Sequence, residues 1–173
     1  SSVAVAYNNT GADVSRTLAV TVGGSSVSAP LSVASGQTAV VVTGLNAQVK
    51  NFVTLTGDFG FQKTTAADPA DDELLVVSSN AAAKLKVGTA VEAGVSGATL
   101  ALLVRGDGTL ALQASGTAAL SLGNGFASAT ASSVAVAYNN TGADVSRTLA
   151  VTVGGSSVSA PLSVASGQTA VVV

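Results

Sequence analysis

The sequence predicts an all-β protein built from many short antiparallel strands, about 11 to 12 per repeat unit. Three observations carry this: apolar residues alternate with period two, turn residues recur at strand-length intervals, and a long segment occurs twice. Residues 1–42 and 132–173 are identical at every position, with an offset of 131. A fixed period of this kind is read first as a tandem array. The expected organisation is therefore one full unit, residues 1–131, followed by the first third of the next, residues 132–173. On this reading the chain is a piece of a longer array. Ser1 to Tyr7 has neither the basic region nor the long apolar run of a secretory leader.

The strands follow in order from the alternation. Val53, Leu55, Phe59 and Phe61 lie on one face of the first run after the repeated segment. Ser79 to Lys86 has some helical character, but Leu85-Lys86-Val87 also fits a strand. Leu100, Leu102 and Val104 fall on one face with Thr99, Ala101 and Arg105 on the other, and Leu110, Leu112 and Ala114 resume the pattern after Gly106-Asp107-Gly108. That is a hairpin signature. Ala118, Leu120 and Leu122 continue it, then Val134, Val136 and Tyr138, then Leu149, Val151 and Val153. Turns are expected at Asn8 to Gly11, Gly23-Gly24, Ser35-Gly36, Gly94 to Gly97, Gly106 to Gly108 and Gly123-Asn124-Gly125. This spacing is that of a β-sandwich or of a β-solenoid or tube-like repeat, with the sheet continuing across the repeat seam. Thr64 to Glu73 is the longest expected loop.

Composition removes several function classes. Hydrophobic residues make up 47% but aromatic residues only 3%, so the core is small aliphatic pieces. Charged residues are 9%, against roughly 25% in ordinary soluble domains. The mean hydropathy of +0.55 raises the question of a membrane protein. No apolar run approaches the roughly 20 residues of a spanning helix, and an outer-membrane barrel would carry aromatic girdles that are lacking here. A net charge of -2 with scattered basic residues argues against a nucleic-acid partner. With no Cys and no His there are no disulfides, no thiolate metal sites and no neutral-pH proton shuttle.

Catalysis needs a base beside a nucleophile, and the available bases are a few carboxylates and Lys50, Lys63, Lys84 and Lys86. No nucleophile elbow, P-loop or dinucleotide fingerprint occurs, and Asp58 and Glu92 do not form a recognisable acid pair. The sequence therefore predicts no enzyme and no cofactor. The one candidate metal site is Asp68, Asp71, Asp72 and Glu73, whose carboxylates suit Ca2+ but lack the glycine and spacing of an EF-hand. The alternative for this loop is a solvated segment that keeps an apolar protein soluble. Arg105-Gly106-Asp107 matches an integrin tripeptide yet reads first as a tight turn. Asn8-Asn9-Thr10 and Asn139-Asn140-Thr141 match the N-glycosylation pattern, and again read first as turns.

Three stretches carry a resemblance: LTGDFGFQK at Leu55 to Lys63, GATLALLVRGDGTLALQASGTAALSL at Gly97 to Leu122, and VAVAYNNTGADVSRTLAVTVGG at Val134 to Gly155. In these the chain resembles the giant tandem-repeat, adhesin-like proteins of bacterial surfaces. The resemblance implies an extracellular or cell-surface extender or filament-forming segment and brings no catalytic or ligand residues. The chain departs from calcium-stiffened extender domains in lacking dense Asp positions at its junctions.

Together these observations predict a structural, non-catalytic repeat of a long extracellular stalk, filament or sheath, whose partners are neighbouring repeats of the same protein and whose assembly is a homopolymer or lateral self-association. The assembly seam is placed at Ser1 to Val42 and Ser132 to Val173. The alternative is an adhesin module that binds carbohydrate or Ca2+ and acts by multivalency.

Overall fold

A computed structural model describes residues 1–49, 53–123 and 126–173. The described chain is all-β, with a turn of 3-10 helix at Pro69–Asp71 and no α-helix. No helix among the described residues is long and apolar enough to cross a membrane. The strands are β1 (Ser2–Tyr7), β2 (Val14–Val22), β3 (Ser25–Val33), β4 (Gln37–Val49), β5 (Val53–Thr64), β6 (Glu73–Val87), β7 (Val91–Arg105), β8 (Leu110–Leu122), β9 (Ala127–Asn139), β10 (Val145–Val153), β11 (Ser156–Val164) and β12 (Thr169–Val172).

The eight strands β2 to β9 span one sequence period, fewer and longer than the alternation predicts. Several glycines that look like turns lie inside strands. Gly97, from the expected Gly94 to Gly97 turn, is in the middle of β7 with φ +57°. Ser79 to Lys86, with its helical character, is part of β6. Lys50, and Asn124 and Gly125 of the expected Gly123 turn, lie outside the described residues.

Eight strands form one open antiparallel sheet in the order β1-β4-β5-β6-β7-β8-β9-β12. The pairs β2-β3 and β10-β11 are separate two-stranded hairpins. The register divides the long strands in two. It shifts at Val42/Leu45, Thr56/Asp58, Ser78/Ala81, Ala81/Ala83, Ser96/Thr99 and Gly116/Ala118, so bulges lie side by side and crease the sheet from β4 to β9. Each bulge adds one residue to one strand of its pair, which would reverse the alternation. The extra residues fall in β4, β6, β7 and β9, and they keep the apolar residues on one face along the full strand length.

On the hairpin-bearing side of the crease, β4 to β8 are apolar on both faces. Val40, Phe61, Val76, Leu102, Leu112 and Tyr138 form a row across one face, which is open. Ala39, Val41, Leu75, Val77, Ala101, Leu103 and Ala111 point to the other face and are buried. Their cover is β10-β11, whose Val145, Leu149, Val151, Val153, Val158, Ala160, Leu162 and Val164 complete the same core cluster. Beyond the crease the back of the sheet turns polar, with Thr54, Lys84, Lys86, Glu92 and Ser121 in paired positions. The nine-residue hairpin strands cover only the half whose back is apolar.

The crease depends on glycine where strands approach closely. Gly57 has φ +131°, and a Cβ there would lie 2.6 Å from Ala81 Cα. Gly97 has positive φ but open space around it. We predict that Gly57→Ala lowers unfolding stability by about 1–3 kcal/mol through strain, whereas Gly97→Asn stays within about 1 kcal/mol because Asn tolerates the left-handed region. Urea denaturation of the two variants checks the difference.

Candidate functional site: an assembly seam

The two copies of the repeated segment fold alike. In the first, β2 pairs β3 from Val14↔Val33 to Val22↔Ser25, and in the second β10 pairs β11 from Val145↔Val164 to Val153↔Ser156, the same register displaced by the repeat offset. The strand preceding each hairpin pairs with the strand following it in the same way, Tyr7 with Thr38 and Tyr138 with Thr169. Gly23-Gly24 and Gly154-Gly155 turn the hairpins with positive φ at both positions, as a tight two-residue turn requires.

A buried asparagine fixes each hairpin to its strand. Asn8 Nδ2 donates to Ala12 O at 2.8 Å and Val33 O at 2.9 Å, while its Oδ1 accepts from the Thr10 backbone N–H at 2.9 Å and the Thr10 hydroxyl at 2.8 Å. Asn139 makes the same four bonds to Ala143, Val164 and Thr141. Both amides are buried with their donors engaged, so these residues close a turn rather than offer an acceptor for glycosylation.

The environments of the copies differ as much as their sequences agree. Leu149 is 2% exposed and its counterpart Leu18 is 45% exposed; Val151 is 0% exposed and Val20 65%. The second hairpin lies on the sheet, while the first shows the same apolar face to solvent.

Specific contacts seat the second copy. Arg147 Nη2 donates to Glu73 Oε1 at 3.0 Å and Oε2 at 3.1 Å. The Ser163 N–H donates to Gln113 Oε1 at 2.7 Å, and the Leu110 N–H donates to Asn140 Oδ1 at 2.6 Å. Val151 presses into the notch left by Gly60, where a Cβ would lie 2.8 Å from Val151 Cβ. The first copy presents the same groups, Arg16, Ser32, Asn9 and Val20, and all four are exposed. Gln113 carried no signal in the sequence. Gly60 carried a faint one, since a glycine between Phe59 and Phe61 in a strand marks close approach.

The acidic residues predicted as a Ca2+ site have separate local roles. Asp68 caps the 3-10 turn by accepting from the Ala70 N–H, Asp72 accepts from the Ala66 N–H at 2.8 Å and lies 3.9 Å from Lys63, and Glu73 holds Arg147. Asp71 lies in the 3-10 turn itself and is exposed. Among the described residues no group of three or more such side chains is placed to hold a metal ion. Asp58 accepts from the Gly44 N–H at the crease, and Glu92 sits between Lys84 and Lys86, so the structure does not bring these two carboxylates together as a pair. The hydrogen bond from Lys84 holds the Glu92 carboxyl below its usual range.

Arg105-Gly106-Asp107 is a turn tucked under the acidic loop. Gly106 N–H donates to Asp72 O at 2.8 Å, and Gly106 lies so close to Pro69 O that no side chain fits. Asp107 accepts from the Thr109 hydroxyl at 2.7 Å and from its backbone N–H at 2.8 Å, which lowers the Asp107 pKa. Its contribution to stability is complete above the ordinary aspartate range and is lost as pH falls through the lowered folded value. Thr109→Val is expected to raise the Asp107 midpoint towards the ordinary aspartate range, as read by NMR titration of the carboxyl; an unchanged midpoint would count against the hydroxyl as its main cause.

Leu149→Ala should cost about 3 kcal/mol by opening a cavity in the core, whereas Leu18→Ala, in identical local sequence, should change stability by less than about 0.5 kcal/mol. Equal effects in denaturant titrations would show that the two hairpins share one environment. No family model matches this chain, and no curated protein or solved structure matches it.

Proposed function

We propose that the chain is a structural, non-catalytic repeat of a long extracellular stalk, filament or sheath, giving cohesion or adhesion through β units joined in one continuous sheet. The observation that carries this reading is that the sheet begins and ends with the same strand pair, in sequence and in register. β1-β4 stands at one edge, and β9-β12 repeats it at the other. Overlaying the first pair of one unit on the last pair of the preceding unit continues the sheet without a break. Each period then adds the six strands β4 to β9, and its hairpin covers the apolar back of the unit before it.

In this architecture the repeat is a sheet roofed by hairpins, one per period, rather than a wound solenoid. The covalent continuity of β9 through the seam resists separation of units, because parting them would strip a hairpin from its core and a strand from its ladder. Neighbouring repeats of the same protein are the principal partners. The open face, with Phe59, Phe61 and Leu102, offers lateral self-association between arrays. Extracellular placement rests on the resemblance to bacterial surface repeats.

The test is an extended chain in which a further copy of residues 1–131 precedes Ser1, so that the present residues 1–42 follow one whole period. Six strands at about 4.8 Å each should lengthen the particle by about 29 Å in electron micrographs, without a flexible joint. In that chain Leu18 becomes a core residue, so Leu18→Ala should cost as much as Leu149→Ala. Beads on mobile joints, or a Leu18→Ala variant still without effect, would overturn the reading.

A further inference from the structure

Residues 1–42 carry a preformed apolar surface. Leu18, Val20, Val22 and Val27 line the uncovered face of β2-β3, and the outer edge of β1 is free to pair. What this surface fits is visible within the same molecule. The identical residues 132–173 lie on the sheet, with Val151 over Gly60, Arg147 on Glu73, and Tyr138 beside Leu112. Because the first copy already has the same hairpin register and the same asparagine latch, it needs no refolding to make those contacts.

We infer that residues 1–42 are a docking element for the sheet of a second molecule of this chain, and that molecules whose own residues 132–173 are off the sheet join head to tail through it. The β1 edge of the incoming molecule pairs with β8 of the receiver, with Tyr7 against Leu112. Its hairpin roofs the receiver's Val41, Val77 and Leu103, Val20 enters the Gly60 notch, and Arg16 meets Glu73. A receiver can be filled in only one of two ways, by its own second copy or by another molecule's first. The internal copy is joined through the unbroken strand β9, which gives it a high effective concentration. The unaltered chain is therefore closed as a receiver while its first copy stays available as a donor.

This inference rests on the seam proposed above, moved from one chain to two, and full-length variants test it. Leu149→Asp with Val151→Asp drives the internal hairpin off the sheet and opens the receiver. That chain should form oligomers in multiples of 16.5 kDa by light scattering. Adding Leu18→Asp and Val20→Asp should return it to monomer. The unaltered chain, a donor with a closed receiver, should shorten the oligomers in proportion to the amount added, while the unaltered chain carrying only Leu18→Asp and Val20→Asp should have no effect. If the aspartate pair abolishes the β circular dichroism signal, Leu149→Ala with Val151→Ala opens the receiver more gently, and the same readings are made on it. A monomeric open receiver, oligomers that survive loss of Leu18 and Val20, or equal shortening by both stoppers would each overturn the inference. If Leu18 is buried in the extended chain but the open receiver stays monomeric, the covalent seam stands and only association between molecules falls.

Discussion

Everything in this protein depends on roofing a sheet half that is apolar on both faces. A strand reading Ala39-Val40-Val41-Val42 or Leu74-Leu75-Val76-Val77 cannot show a polar side to water. The hairpin β10-β11 supplies the cover on one face and closes the only buried core cluster among the described residues. Each Leu or Val taken from water there is worth roughly 1.5–3 kcal/mol before ordering costs. A two-stranded hairpin alone is at best marginal in water, so hairpin and sheet stabilise each other. Small side chains suit this arrangement: Gly60 and Ala101 let the hairpin lie close, and Val151 fills the space an aromatic ring would have overfilled.

Several Asn and Asp side chains hold the backbone in shape. Asn8 and Asn139 tie hairpin ends to strands, Asp13 and Asp144 accept from the Ser35 and Ser166 N–H groups, and Asp107 closes the turn between β7 and β8. The acidic loop looks in sequence like a ligand site because four carboxyl groups fall within six residues. Folding gives Asp68, Asp72 and Glu73 different partners, and Glu73 becomes the far end of a contact that begins in the next copy. A cluster in sequence need not converge in space when a 3-10 turn and a strand start lie within it.

The sequence made the β class and the duplicated segment legible, because alternation and identity survive without coordinates. It did not reveal the strand count. Gly44, Gly57 and Gly97 have the same look as the turn glycines Gly23 and Gly108, yet they sit in bulges and let strands run on for 12 to 15 residues. Local composition cannot distinguish a glycine that reverses the chain from one that adds a residue to a ladder; only the partner strand decides it. Nor could two identical segments announce that one would be buried and the other exposed, since that difference comes from which sheet lies within reach. Leu18 and Leu149 have the same neighbours for many residues on either side and opposite surroundings.

On the proposed array this non-locality sets a rule for how repeats can vary. The hairpin of each unit is core to the unit before it, so a change at Val151 acts on the sheet of residues 39–111 and not on strands that follow it. A substitution there needs a matching change at Gly60 or Val77 of the preceding period, and residues in such contact are energetically coupled. If each repeat drifted separately, every seam would combine one unit's hairpin with another unit's notch, and mismatches would accumulate at the points that bear tension. Identical copies avoid the problem, because any hairpin then fits any sheet. The perfect match of residues 1–42 and 132–173 is what a seam of this kind requires of the residues that cross it, and it leaves freedom only at positions such as Ser26 and Ser157 that face away from the roofed core.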